Sequence, residues 1–235
     1  IIKANSRKQK NTEKEQREWS NLEILPIIFT HGGVGASGDL VQLAHVALCL
    51  IGEGEVIYQN KLQNTKTVLQ KLKITPLQVH IREGLSLING TSCMTGIGMI
   101  NTIMAYRLAK WEMLMSAMVN EISEAYDDHI SKELNQVKPH AGQQHVAAAM
   151  RKILRGSKLL KNRQEHLYDK EVLADVLDEK VQEYYSSRCI PQIIGPIWET
   201  ITNCEKILTE EINSVNDNPI IDYVNENIYH GGNFH

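Results

Sequence analysis

The sequence predicts a mainly α protein: a long antiparallel helix bundle carrying small β-hairpins. Three observations lead there. Apolar residues recur in steps of three and four over many turns. Strand-like runs are short and bounded by turn residues. Long helices and two small hairpins, and no series of strand–helix–strand units, follow the glycine-rich segment His31–His45.

Residues 3–20, "KANSRKQKNTEKEQREWS", are charged and without clear period, so 1–20 reads as a polar, poorly ordered arm and 21–235 as part of one domain. From Asp39 to Gly52, Leu40, Leu43, Val46, Ala47 and Leu50 line one helical face, with Gly52 and Gly54 closing it. "EVIYQNKLQ" reads as a hairpin about Gln59-Asn60. The longest helix is expected to start near Glu83. Its stripe of Ile100, Ile103, Met104, Leu108, Trp111, Leu114, Met115, Met118 and Ile122 calls for burial along at least one face, as core and not as a ligand box. A third helix is expected from about Gln143 to Leu154, ending at Gly156-Ser157. A fourth runs from about Cys189 to Val215 and tolerates Pro191 only in its first turn. "IIDYVNENIYH" reads as two short strands about Asn225-Glu226-Asn227.

With 235 residues and 42% hydrophobic content the chain can bury a sizeable core. Its net charge of −3 offers no basic excess for phosphate neutralisation, so nucleic acid is not an expected partner. Cys49, Cys93, Cys189 and Cys204 form no C-x-x-C pair and read as reduced, mostly buried thiols of a cytoplasmic protein. No run of 18 apolar residues suggests a membrane span. The chain opens on Ile1 and closes on "HGGNFH", and so reads as a piece of something longer.

The informative segment is "HGGVGASGDLVQLAH", His31–His45. Gly33, Gly35 and Gly38 spell G-x-G-x-x-G, but the preceding strand candidate "ILPIIFTH" holds Pro26. The next strand candidate ends in Gln59-Asn60, without the acid a ribose needs, so dinucleotide binding is disfavoured. The serine-hydrolase elbow fails as well, since Asp39 stands where its second glycine belongs. A narrower reading is self-processing. Attack of the Gly38 nitrogen on the Ala36 carbonyl carbon closes a five-membered ring, and loss of two waters leaves a methylidene derived from Ser37. Glycine unblocks the nitrogen, alanine leaves the acceptor uncrowded, serine supplies the hydroxyl, and Asp39 can handle protons. An ordinary N-cap turn is the bland alternative.

"GGVGASGDLVQLAH" resembles the signature of the aromatic amino acid ammonia-lyase family, the histidine, phenylalanine and tyrosine ammonia-lyases with their related aminomutases. "REGLSLINGTSCMTG", "VQEYYSSRCIPQIIGP", "NSVNDNPIID" and "HGGNFH" resemble the family's other blocks in the same order. The likeness covers Ile24–His235, the middle of a family member. "AYDDHISKELNQ" and "GQQHVAAAMR" are most similar to the bacterial tyrosine ammonia-lyase branch. The resemblance implies the ammonia-lyase (fumarase/aspartase-like) fold and a 4-methylidene-imidazole-5-one formed autocatalytically from Ala36-Ser37-Gly38, with no metal and no nucleotide. It further implies an aromatic L-amino acid substrate and a homotetramer with shared sites.

The resemblance also assigns roles. Asn89 lies near the electrophile and substrate amine, and Arg188 grips the substrate carboxylate with its bidentate fork. Tyr185 and Gln182 line the site, three residues apart on one helical face; Asn218 reaches the carboxylate, and Phe234 presses on the ring. The alternatives are a helix-interior amide for Asn89, a surface ion pair for Arg188, packing for Tyr185, Gln182 and Phe234, and a pre-proline turn for Asn218. His45, His129, His140 and His145 lack metal-ligand spacing and read as satisfied or solvated. Ser86, Ser187 and Ile190 depart mildly from the family pattern, and the family's N-terminal catalytic tyrosine has no counterpart here. The expected activity is elimination of ammonia from tyrosine or histidine to coumarate or urocanate, with this chain alone inactive. An aminomutase or a non-catalytic helical association module are the alternatives.

Overall fold

A computed structural model describes residues 21–80, 83–169, 180–215, 219–222 and 224–231, so the arm expected at 1–20 lies outside the described residues. The chain is mainly helical, with long helices and two small sheets. It divides into two compact units, one reaching to Ile97 and resuming at Glu210, the other Gly98–Thr209.

The first unit opens with a three-stranded antiparallel sheet, β1 (Leu25–Pro26), β2 (Glu55–Tyr58) and β3 (Lys61–Asn64), in that order. Of "ILPIIFTH" only Leu25 and Pro26 pair, with Ile57 and Val56, which suits a proline-bearing edge strand. Gln59 and Asn60 have φ of 51° and 58°, the left-handed pair of a two-residue turn whose twist matches the strands it joins. Helix α1 (Leu40–Leu50) forms as expected. Helix α2 (Thr65–Leu72) was not anticipated; its buried Thr65, Val68 and Leu69 keep helical spacing over too few turns to stand out. Ile24, Cys49, Leu50, Val56, Val68 and Leu69 make the core. Further along, β4 (Ile220–Asp222) and β5 (Asn227–Tyr229) pair antiparallel, and the Asp222 carboxylate accepts the backbone N–H groups of Val224 and Asn225. Hydrogen bonding to Asn225 holds that carboxyl below its usual range.

The long helix does not begin at Glu83. Helix α3 (Glu83–Ile88) stops, and α4 (Ser92–Ile122) starts after a break at Asn89-Gly90-Thr91. A continuous helix would bond the Gly90 carbonyl to the Met94 N–H. Here Asp39 takes both partners: its N–H donates to Gly90 O at 2.8 Å, and its Oδ2 accepts from Met94 N–H at 2.7 Å.

In the second unit, α4 buries Ala109, Met113, Ala117 and Asn120, not the expected stripe. Leu114 is half-buried, but Leu108, Trp111 and Ile122 are 70%, 62% and 75% exposed, and Ile100, Ile103, Met104, Met115 and Met118 are also exposed. Several faces of this helix are apolar, so three-and-four spacing fixes the helix without saying which face packs. The core joins Met113 and Ala117 to Ile130, Val146, Met150, Leu154, Ile190 and Ile194. After α5 (Lys132–Gln136) come α6 (Ala141–Ile153), the short α7 (Tyr185–Arg188) and α8 (Ile190–Ile212). Gly142 and Gly195 let α6 and α8 touch backbone to backbone: a Cβ on Gly195 would stand 2.6 Å from the Gln143 nitrogen. Glu199 Oε1 accepts the Gly142 N–H at 2.7 Å, capping α6 from its neighbour. Pro191 sits in the first turn of α8 as expected, whereas Pro196 lies inside the helix and removes one ladder donor.

Two expectations about side chains are corrected. Only Cys49 is buried; Cys93 and Cys189 are half-buried and Cys204 is exposed. Of the histidines, His145 stacks on Trp198 at 4.2 Å, but His45 Nδ1 and both ring nitrogens of His129 are buried without a hydrogen-bond partner among the described residues. Burial pushes the His129 pKa below its usual value, against the pull of Asp128, Glu183 and Asp127.

Candidate active site

The loop ahead of α1 is held in left-handed conformations at Gly35 (φ 67°), Ser37 (φ 58°) and Gly38 (φ 79°). Glycine accepts this freely; serine does not, at a cost of about 1–2 kcal/mol. Ala36 and Ser37 are exposed. Gly38 is pressed against the helix break: a Cβ there would overlap the Gly90 carbonyl oxygen and stand 2.9 Å from its carbon. The next residue, Asp39, locks this contact through its two bonds to Gly90 and Met94, and its own carbonyl accepts the Leu43 N–H at 2.9 Å. The tripeptide is thus a bent, exposed turn clamped on its C-terminal side by the α3–α4 break. The Asp39 side chain makes no cap bond to its own helix, α1, but sits at the start of α4 instead, where the N-terminal dipole favours a negative charge.

Asn89 belongs to the same break. Its N–H closes the last turn of α3 on Leu85 O at 2.9 Å, and Gly90 beside it carries the carbonyl that Asp39 engages. It is therefore not the helix-interior amide of the alternative reading. Burial, and then the charge of nearby Asp39, push the pKa of the Cys93 thiol up.

The second unit holds the other described candidates. The Arg188 guanidinium carbon lies 4.3 Å from the centre of the Tyr185 ring, a cation–π contact across one turn of α7. Arg188 Nε is buried with no hydrogen-bond partner among the described residues. Tyr185 is 71% exposed. Gln182 is exposed but lies in a bend ahead of α7, so it does not share a helical face with Tyr185; the i, i+3 pair is Tyr185 with Arg188. Asn218 and Phe234 lie outside the described residues.

The sequence reading missed Gly90 and Thr91. Both are buried, with half-buried Asn89 before them and exposed Ser92 after, and the only sequence signal was their place directly after Asn89. Among the described residues no cluster of three or more His, Cys, Asp or Glu side chains could hold a metal ion, and no helix is long and apolar enough to cross a membrane.

A model of the aromatic amino acid lyases matches residues 9–235. The chain belongs to the aromatic amino acid lyase family. Among curated family members it is 38% identical to a tyrosine 2,3-aminomutase of Chondromyces crocatus, over all of this chain and 45% of that one. It is equally identical to a histidine ammonia-lyase of Shouchella clausii, over 93% of this chain and 41% of that enzyme. Among solved structures, a phenylalanine aminomutase of Pantoea agglomerans superposes with a TM-score of 0.84 at 34% identity, over 93% of this chain and 43% of that one. The chain spans less than half the length of these aromatic amino acid lyases, and the ammonia-lyase/aminomutase fold is theirs in common.

Proposed function

We propose that this chain carries the electrophile-forming turn and part of the substrate cradle of an aromatic amino acid ammonia-lyase acting on tyrosine or histidine. The product is the trans-arylacrylate, coumarate or urocanate. The observation that carries the reading is the clamped turn, in which Ser37 holds a left-handed φ of 58° and Gly38 lies where a Cβ cannot.

The residues fit the prosthetic ring expected of the family. Ala36, Ser37 and Gly38 would form it, and when present it supplies an electron-poor alkene that turns a substrate amine into a better leaving group. Asp39 supports closure by holding the plane after Gly38 through its two bonds to the break. Asn89, one residue before the Gly90 that Gly38 packs against, is the proposed partner of the substrate amine. Arg188 presents a guanidinium steadied by Tyr185, with an unmet donor that a substrate carboxylate would satisfy. Tyr185, Gln182, Asn218 and Phe234 are the further residues proposed to contact the substrate. No metal or nucleotide takes part.

A second reading is the aminomutase, which returns ammonia to the β-carbon; three tyrosine 2,3-aminomutases at 38% identity favour it. Product analysis of the full gene product with tyrosine and with histidine separates the two: arylacrylate plus ammonia supports the lyase, a β-amino acid the aminomutase, and neither product refutes both. Absence of both, with a stable oligomer, would leave the helical association module. This chain by itself is expected to be inactive, and steady arylacrylate absorbance from it would overturn that. The full protein is proposed to be a cytoplasmic homotetramer; the exposed apolar stripe of α4 supports burial of that helix against another copy of the chain and fixes neither the number of copies nor the compartment. A Leu108→Glu chain that sediments like the unsubstituted one would count against that use of the stripe.

A further inference from the structure

Directly ahead of α7 a carboxylate is buried among exposed neighbours. Glu183 is 6% exposed, while Gln182 and Tyr184 on either side of it are exposed. Its Oε1 meets the Lys180 ammonium at 2.9 Å and accepts the Tyr126 backbone N–H at 3.4 Å. Two further grips hold the same stretch. The hydroxyl of the buried Tyr126 donates to the Lys180 carbonyl at 2.8 Å. Arg163 reaches from Asp128 to Val181: its Nε and Nη2 donate to the two Asp128 carboxylate oxygens at 2.7 and 3.2 Å, and its Nη1 donates to the Val181 carbonyl. Its guanidinium carbon also lies 4.1 Å from the centre of the Tyr126 ring. A rigid fork can serve carboxylate, carbonyl and ring face together; an ammonium cannot. Tyr184 follows this anchored stretch, and its carbonyl accepts the N–H groups of Ser187 and Arg188 at 3.0 and 2.9 Å, the bonds that shape α7. At its other end α7 runs straight into the buried Ile190 and Pro191.

We propose that Tyr126, Arg163 and Glu183 are positioning residues for the grip on the substrate carboxylate: they anchor the chain entering α7 and so fix where Tyr185 and Arg188 stand. Gln182 lies within the anchored stretch and is set by the same bonds. This rests on the proposed ammonia-lyase reading, in which Arg188 meets the substrate. A helix of four residues has too few internal bonds to hold itself, so its N-terminal side is kept by what precedes it. Without the anchor α7 frays from that side while Ile190 and Pro191 stay in the core. The carboxylate grip loosens, and the Ala36–Gly38 turn, which belongs to the first unit, keeps its own clamp.

The test uses the full gene product with Arg163→Met, Arg163→Lys, Glu183→Leu and Glu183→Gln, each alone and combined with Arg188→Lys. KM and kcat, hydrogen exchange at the Ser187 and Arg188 amides, and the mass of the peptide bearing Ala36–Gly38 are measured for each. Arg163→Met and Glu183→Leu should raise KM roughly tenfold with kcat within about twofold, speed exchange at both amides about tenfold, and retain the two-water mass deficit. Arg163→Lys keeps the charge without the fork and should behave like Arg163→Met. Glu183→Gln keeps an oxygen for the Tyr126 N–H and should stay within about twofold of the unsubstituted protein. In the Arg188→Lys protein the same changes should add less than about twofold to KM, because the anchor acts through Arg188. Unchanged exchange, a fall in kcat at constant KM, full rescue by lysine at 163, or KM effects that multiply with Arg188→Lys would overturn the proposal. If Glu183→Leu does not fold, the Arg163 pair of variants decides alone. An unsubstituted protein without the mass deficit would instead sink the ammonia-lyase reading, and substrate positioning with it.

Discussion

Replacing Gly38 with alanine tests the clamp most sharply when set beside the same change at Gly35. Both glycines have positive φ, 79° and 67°, so an alanine at either is strained by about 1–2 kcal/mol. A stiffer unfolded chain offsets about 0.4–1 kcal/mol of that. At Gly35 a Cβ would meet nothing within 4 Å, so the net cost should stay near 1 kcal/mol. At Gly38 it would overlap the Gly90 carbonyl, forcing the turn off the break and breaking the 2.8 Å bond from Asp39 N–H, a further loss of about 1 kcal/mol or more. Gly38→Ala should therefore be less stable than Gly35→Ala by roughly 1–2 kcal/mol in urea unfolding, with an unchanged m-value. It should also lose the two-water deficit at Ala36–Gly38. Equal stabilities for the two variants would refute the claim that Gly90 holds Gly38 in place.

The split bond at the helix break makes a second prediction. Asp39→Asn keeps an acceptor for Met94 N–H and should still close the ring, whereas Asp39→Ala should lose about 0.5–2 kcal/mol and close it slowly. A ring blocked equally in both would show that the carboxyl acts on protons and not as a cap. Arg188→Lys keeps the charge but not the fork, and should raise KM for the amino acid roughly tenfold or more with little change in ring formation; an unaltered KM would remove Arg188 from the site. His129 sets a pH dependence. Its folded pKa is lowered, so between that value and the unfolded value near 6.5 the unfolded chain binds more protons. Stability should be full above pH 6.5 and fall as acid is added, by up to about 1.4 kcal/mol per pH unit, and His129→Leu should flatten the slope. The same slope in both proteins would rule out His129 as its source.

The helices α1, α6 and α8 and both hairpins were legible in the sequence because each combines a clear period with a local stop or turn signal, such as Gln59-Asn60 or Pro191. The break at Asn89-Gly90-Thr91 was not, because what interrupts the helix is Asp39, a residue fifty positions away that takes over a bond the helix would otherwise make for itself. The packed face of α4 was hidden for a related reason: Ala109, Met113 and Ala117 give the same period as Leu108, Trp111 and Met115. At the site, motifs singled out the Ala36–Gly38 turn and Asn89; the structure packs Gly38 against Gly90, the residue after Asn89, and the roles of both remain proposals. The misplacing of Gln182 beside Tyr185 came from extending helical spacing past the true start of α7.

The central claim is that the backbone at Ala36–Gly38 is built to condense with itself. The most direct measurement is the intact mass of the proteolytic peptide spanning these residues, from the full gene product and from its Ser37→Ala variant. A deficit of two waters in the first, absent in the second, is the result expected. Full, unreacted mass in a protein that nonetheless releases ammonia from tyrosine or histidine would contradict the account.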